Sequence, residues 1–360
     1  AKKDSTMVRV KRSRRTNAPL DPLRVMARHL FAVFTVATVF CCVSVYFFFL
    51  NVEERNARDG NTLSMMVAAH SAQRILISGR PYLVYGTAWK ETRTAELVSR
   101  AIHSGFRFID TACQPKHYNE AGVGEGWTTA AKELNLGRSD LFLQTKFTPF
   151  SGQDPNRLPY NPDDSLPEQV KTSLQVSLQN LQTNYLDSLV LHSPLHTLEE
   201  TMEVWQTMES FVDEGKVKQL GISNCYDFEF FQSLYEQARI KPKVLQNRFH
   251  KETNFDTALR AFCQEHGVTY QSFWTLTANR HALASPEIKE WAMRMKLTPQ
   301  QLMFAFLMSL GYITPLSGTT SVEHMAQDVA IMERMEGGET FFADHDELRR
   351  FAQLLGMPML

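Results

Sequence analysis

The chain has too few cysteines for a disulfide framework. Five are spread over 360 residues, Cys41 and Cys42 inside an apolar run and Cys113, Cys225 and Cys263 far apart beyond it. No CxxC pair suggests a metal or redox centre. An Asn-x-Ser/Thr acceptor is also lacking throughout. Both absences suit a cytosolic domain better than a lumenal one. The net charge is only −1, so there is no overall electrostatic signal for nucleic acid. Repeats and low-complexity segments are missing as well.

What is present divides the chain into four parts. Residues 1–29 form a basic tail, with nine lysines and arginines against Asp4 and Asp21. Residues 30–50 (LFAVFTVATVFCCVSVYFFFL), from Leu30 to Leu50, carry no charge. At ~1.5 Å rise per residue this run would span roughly 30 Å, the thickness of a bilayer's hydrocarbon core. It reads as a single transmembrane signal anchor. The excess of basic residues before it predicts a type II, single-pass membrane protein with a cytosolic N-terminus. Residues 51–71 read as a stalk and residues 72–360 as a catalytic domain.

In that domain, short apolar runs alternate with amphipathic stretches. Strands are expected at 83–87, 106–110, 141–145, 188–192, 219–223, 244–247, 269–274 and 312–317. Helices are expected at 94–103, 122–134, 166–181, 198–214, 227–238, 255–266, 287–295 and 299–310, with a further helical stretch at 344–355. Eight strand-then-helix units in this length predict an α/β fold, a closed (β/α)8 TIM barrel, with a doubly wound open sheet as the alternative. In a barrel the chemistry sits at the carboxyl ends of the strands. Asp110, Lys146, His192, Ser223, Asn224, Gln246, Asn247, Phe273, Trp274 and Ser317 fall at or beside those ends. Any one of them has a structural reading, but their recurrence at one mouth of the barrel points to a site. The Gly-rich GVGEG at 122–126 lacks the spacing of a nucleotide loop, and Pro194 breaks the metal-like pair His192 and His196. No metal site is expected.

Several of these segments resemble the aldo-keto reductase family: GFRFIDTA at 105–112, LFLQTKF at 141–147, NYLDSLVLHSP at 184–194 and GKVKQLGISN at 215–224. The resemblance implies a reductase of aldehydes and ketones that uses NADPH, with NADH possible. It assigns catalysis to Asp110, Lys146, His192 and a tyrosine acid whose pKa Lys146 lowers. In DTACQPKHYNE that tyrosine is Tyr118, with His117 as the alternative. Gly86, Thr87, Ser223, Asn224, Gln246 and Phe273 are implied cofactor contacts, with Phe273 stacking on the nicotinamide. PLSGTTSVEHMAQD at 315–328 is similar to the segment around the adenosine phosphate and adds Ser317, Gly318, Thr319, His324 and Asp328. There Leu316 and His324 stand where the family pattern has lysine and arginine. Trp89, Phe147 and Trp274 are expected to line the substrate pocket. The expected partners are a small-molecule carbonyl substrate and a membrane through residues 30–50, with no nucleic acid, and the protein is expected to be a monomer. A barrel that binds cofactor without catalysis, as a subunit or sensor, is the competing reading.

Overall fold

Eight short strands close on themselves in chain order, every neighbouring pair parallel. The computed structural model describes residues 71–360. The strands are β1 (Val84–Gly86), β2 (Phe108–Asp110), β3 (Phe142–Phe147), β4 (Ser188–Leu191), β5 (Leu220–Ser223), β6 (Val244–Arg248), β7 (Thr269–Phe273) and β8 (Ile313–Ser317). The ring closes where Val84 pairs with Leu316. This is the (β/α)8 barrel, and the open-sheet alternative is excluded.

The helices are α1 (Ala72–Ser78), α2 (Thr94–His103), α3 (Glu120–Leu134), α4 (Leu166–Asn180), α5 (Leu198–Asp213), α6 (Phe228–Gln237), α7 (Thr257–His266), α8 (Arg280–Leu283), α9 (Pro286–Arg294), α10 (Pro299–Ser309), α11 (Val322–Glu336) and α12 (His345–Leu355). Their ends are chemically marked. Asn119, Thr197, Asp227, Ser285, Thr298, Ser321 and Asp344 each accept a backbone N–H of the first turn, which satisfies donors that a helix start leaves open. Their apolar faces pack on the outside of the barrel in one continuous core.

A smaller apolar cluster fills the barrel's amino end. Val84, Phe108 and Phe142 lie in register across β1–β3, and Tyr82 stacks on Phe108 at 3.9 Å. Ala72 and Ile75 of α1 pack on this cluster. Two residues further along the same inward face come Asp110 and Gln144, so the interior changes from apolar to polar toward the carboxyl end.

The segment GVGEG lies inside α3, and close approach explains it. A Cβ on Gly124 would lie 2.0 Å from the Asn180 carbonyl oxygen, and one on Gly126 2.5 Å from the Ala95 carbonyl oxygen. Gly124→Ala should therefore destabilise the fold by about 1–3 kcal/mol, as overpacking does. A chemical-denaturation midpoint unchanged by the substitution would contradict this.

The expectation of a membrane-anchored protein is corrected. No helix among the described residues is long and apolar enough to cross a membrane. The run at 30–50, together with the tail and most of the stalk, lies outside the described residues. The expected anchor, the membrane as a partner and the type II location are not carried forward.

Candidate active site

The carboxyl ends of the strands surround a cleft of about 720 Å³, within the size range of small-molecule sites. Its floor is a buried ion pair. Lys146 on β3 donates to both Asp110 carboxylate oxygens, at 2.8 and 2.7 Å, and to the Thr111 carbonyl oxygen at 2.8 Å. The lysine and aspartate are only 1% and 2% exposed. A bidentate contact of this kind offsets much of the desolvation cost of two buried charges. Burial pulls the Lys146 ammonium below its ordinary pKa, and Asp110 opposes that shift.

A network of side-chain amides holds the aspartate in place. Gln144 and Gln246 donate to Asp110 Oδ1 at 2.8 and 3.0 Å, and both donate to Gln271 Oε1 at 2.7 and 2.9 Å. Gln144 and Gln271 were not expected at the site. Their signal was available, since a polar residue two positions from Lys146 or Phe273 on a strand shares its inward face.

Tyr118 and His192 stand on the wall above. Their rings meet edge-on at 5.9 Å, and the Lys146 ammonium is 5.2 Å from the Tyr118 ring centre. Burial, and then the Asp110 charge, push the Tyr118 phenol above its ordinary pKa. The expectation that Lys146 lowers it is thereby corrected for the cofactor-free protein, because Asp110 already balances the lysine. Burial, followed by the charges of Lys146 and His117, holds His192 well below the ordinary histidine value, so its ring is neutral. Thr148, another residue missed in the sequence, bonds His192 Nδ1 at 2.7 Å and leaves Nε2 for the cleft.

His117 also lines the cleft, its ring tilted against that of Trp89 at 35° with ring centres 3.8 Å apart. Its pKa is lowered, first by burial, and its Nδ1 is buried without a hydrogen-bond partner. Both candidates for the acid, His117 and Tyr118, therefore line the cleft.

Other expected residues divide clearly. Gly86, Ser223, Asn224, Gln246, Phe273, Ser317, Gly318, Thr319, His324 and Asp328 all line the cleft, as do Trp89 and Trp274. Asn224 and Trp274, directly after β5 and β7, adopt left-handed backbone at φ 52° and 54°, an uncommon conformation that bends the chain at the mouth. Thr87 does not face the cleft. It is buried, and its hydroxyl donates to the Asp110 carbonyl oxygen at 2.9 Å, so it ties β1 to β2. Phe147 is also buried away from the cleft, with its ring 5.7 Å from that of Tyr160. It is the last residue of β3 and lies one position out of phase with inward-facing Lys146. The irregular segment after β3 contributes no residue to the cleft lining. It supports the site from behind through Thr148.

Lys90 was not anticipated either. It lines the cleft, and its ammonium donates to the Gly318 carbonyl oxygen. Burial, and then Arg93, lower its pKa to about 8.

At the far end, Ser317 donates to the Asp328 carboxylate at 2.6 Å. Burial outweighs that bond and raises the Asp328 pKa from 3.8 to about 7. The unfolded chain loses this proton first, so Asp328 should cost the fold progressively more from about pH 4 to pH 7 and a constant amount above. The cofactor-free wild type should lose more stability across that window than Asp328→Asn. Equal losses in denaturation titrations at pH 4.5 and 7.5 would contradict this.

A barrel with ionisable groups gathered at its carboxyl mouth, around a cleft of this size, is the architecture of a small-molecule enzyme. The chain belongs to the aldo/keto reductase family, whose model matches residues 83–350. It is 27% identical over 270 residues to a methylglyoxal reductase, DkgA, of Salmonella typhimurium, covering 74% of this chain and 86% of that protein. It is 26% identical over 301 residues to an NAD(P)H-dependent D-xylose reductase of Kluyveromyces lactis, covering 72% and 84%. Among solved structures it is similar to the aldose reductase of Schistosoma japonicum, with a TM-score of 0.60, 25% identity and coverage of 76% and 88%.

Proposed function

We propose that the protein is an NAD(P)H-dependent reductase of small aldehydes and ketones. The observation that carries this reading is the convergence of Tyr118 and His192 on one wall of the cleft, directly above the Asp110–Lys146 pair. Family membership and the printed activities of the two reductases above support it.

The residues at the strand ends fit a nicotinamide. Ser223 donates its hydrogen to the Gln246 carbonyl oxygen at 2.7 Å and accepts from Asn224 Nδ2 at 3.3 Å, which leaves one lone pair on its oxygen as an acceptor. Gln246 donates through Nε2 to Asp110 and Gln271, so its Oε1 is available to an incoming N–H. With Asn224 these groups suit a carboxamide, and Phe273 offers a ring face beside them. Bound there, the dihydronicotinamide would supply a hydride.

This chain's own residues then act on the carbonyl oxygen. Thr148 can donate to His192 Nδ1, which places the ring hydrogen on Nε2, facing the cleft. That neutral imidazole orients the oxygen and stabilises charge developing on it. The Tyr118 hydroxyl gives its proton to the same oxygen. The Lys146 ammonium, 5.2 Å from the Tyr118 ring centre, keeps the phenolate left behind from facing the Asp110 carboxylate uncompensated. Exposed Trp89 and Trp274, 60% and 48% accessible, favour apolar or aromatic carbonyl compounds.

Cofactor oxidation followed by absorbance across a panel of aldehydes tests the reading. Turnover well above that of Tyr118→Phe supports it. Tight cofactor binding with no turnover on any aldehyde favours a non-catalytic barrel instead.

A further inference from the structure

The proposal above leaves open which dinucleotide the cleft prefers, and its far end bears on that choice. Leu316, Ser317, His324 and Asp328 line that end. Asp328 is the anionic side chain lining the cleft there; it is 5% exposed and receives one hydrogen bond, from Ser317. Leu316, one position out of phase with Ser317 on β8, packs on the apolar cluster of Val84 and Phe108 and adds no charge to the lining. Lys90, the nearby cation, is engaged with the Gly318 carbonyl oxygen and lies 5.6 Å from the Tyr85 ring. The Tyr85 hydroxyl in turn donates to the Thr319 carbonyl oxygen at 3.0 Å. Lysine and tyrosine thus brace the backbone of residues 318–319 from the β1 side.

The start of α11 is also occupied. Ser321 accepts the His324 N–H, and Glu323 sits in the first turn. Both answer the positive end of the helix dipole before any ligand arrives.

We infer that this end takes an adenosine ribose with free 2′ and 3′ hydroxyls, held by Asp328, and that the enzyme prefers NADH to NADPH. The inference rests on the proposed function, because it assumes that a nicotinamide dinucleotide fills the cleft. Ribose hydroxyls are donors, and an ionised carboxylate is a pure acceptor. A second donor besides Ser317 would supply what buried Asp328 lacks when ionised. A 2′-phosphate brings a charge of about −1.5 to −2 at neutral pH. Beside the Asp328 carboxylate it would meet repulsion, and Lys90, the cation lining the cleft there, is already engaged with the Gly318 carbonyl oxygen. An acidic residue that binds ribose hydroxyls and disfavours the phosphate is a general solution to this choice in dinucleotide sites.

Titration calorimetry on the full chain with NADH and NADPH, without carbonyl substrate, reads the selectivity directly. NADH should bind about tenfold tighter or more, the scale expected from one like-charge contact in a partly buried site. Asp328→Asn keeps the shape and removes the charge, so it should weaken NADH and strengthen NADPH. Leu316→Lys should strengthen NADPH at a second position, independent of any folding defect in the first variant. NADPH binding as tightly as NADH to the wild type, or selectivity unmoved in both variants, would overturn the inference. Binding of neither dinucleotide at millimolar concentration would overturn the proposed function itself, and the inference with it.

Discussion

Lys146→Met should destabilise the protein by about 3–5 kcal/mol, the cost of leaving a buried charge without its partner. It should also abolish measurable carbonyl reduction. Asp110 would keep its amide donors Gln144 and Gln246, but these are neutral and cannot balance the carboxylate. The double variant Asp110→Asn with Lys146→Met removes both charges. It should recover most of the lost stability, because replacing both partners of a buried pair is far cheaper than replacing one. Activity should not return, because the cation beside Tyr118 is still missing. Denaturation midpoints and turnover measured on the same three proteins separate the two roles. Recovered activity in the double variant would show that the pair is only structural.

Tyr118→Phe has the second large effect expected. It removes a single hydroxyl on the wall of the cleft and leaves the ring that meets His192 and lies beside Lys146. Folding and cofactor binding should therefore be nearly unchanged. The rate should fall by about 10²–10⁴-fold, the range that general acid catalysis contributes. His117→Gln is the informative companion. His117 packs against Trp89, and its lowered pKa makes the ring a poor proton carrier at neutral pH. Its loss should change KM more than kcat. If His117→Gln lost the larger share of kcat, the roles of the two neighbours would be reversed.

Much of the fold was legible because the relevant signals are local. Apolar runs bounded by polar strand ends place all eight strands within one to two residues, and α2 (Thr94–His103) falls at the expected bounds. Helix α11 was missed, because its sequence was read as a phosphate-binding segment and not for periodicity. The short α1 (Ala72–Ser78), which begins at the boundary expected for the catalytic domain, was not among the expected helices.

The candidate site was legible in its ionisable members and only partly legible in their supports. Asp110, Lys146 and His192 mark strand ends. Gln144 and Gln271 were legible from strand alternation with Lys146 and Phe273, whereas Thr148 acts through a contact between elements far apart in sequence, which no local pattern reports. Thr87 and Phe147 were placed at the cleft from motif position alone. Strand alternation puts Phe147 out of phase with Lys146, and Thr87 turns its hydroxyl to the neighbouring strand. The pKa of Tyr118 was misjudged for a related reason. The sequence shows that a lysine is near but not that its charge is already matched.

The central claim is that this cleft passes a hydride to a carbonyl carbon while Tyr118 protonates the oxygen. It is tested most directly by running the reaction with NADH deuterated at both C4 positions and analysing the alcohol by mass spectrometry and NMR. The account predicts one deuterium on the former carbonyl carbon in the wild-type product, formed at a strongly reduced rate by Tyr118→Phe. Alcohol without deuterium at that carbon, or label transfer at an undiminished rate by Tyr118→Phe, would contradict it.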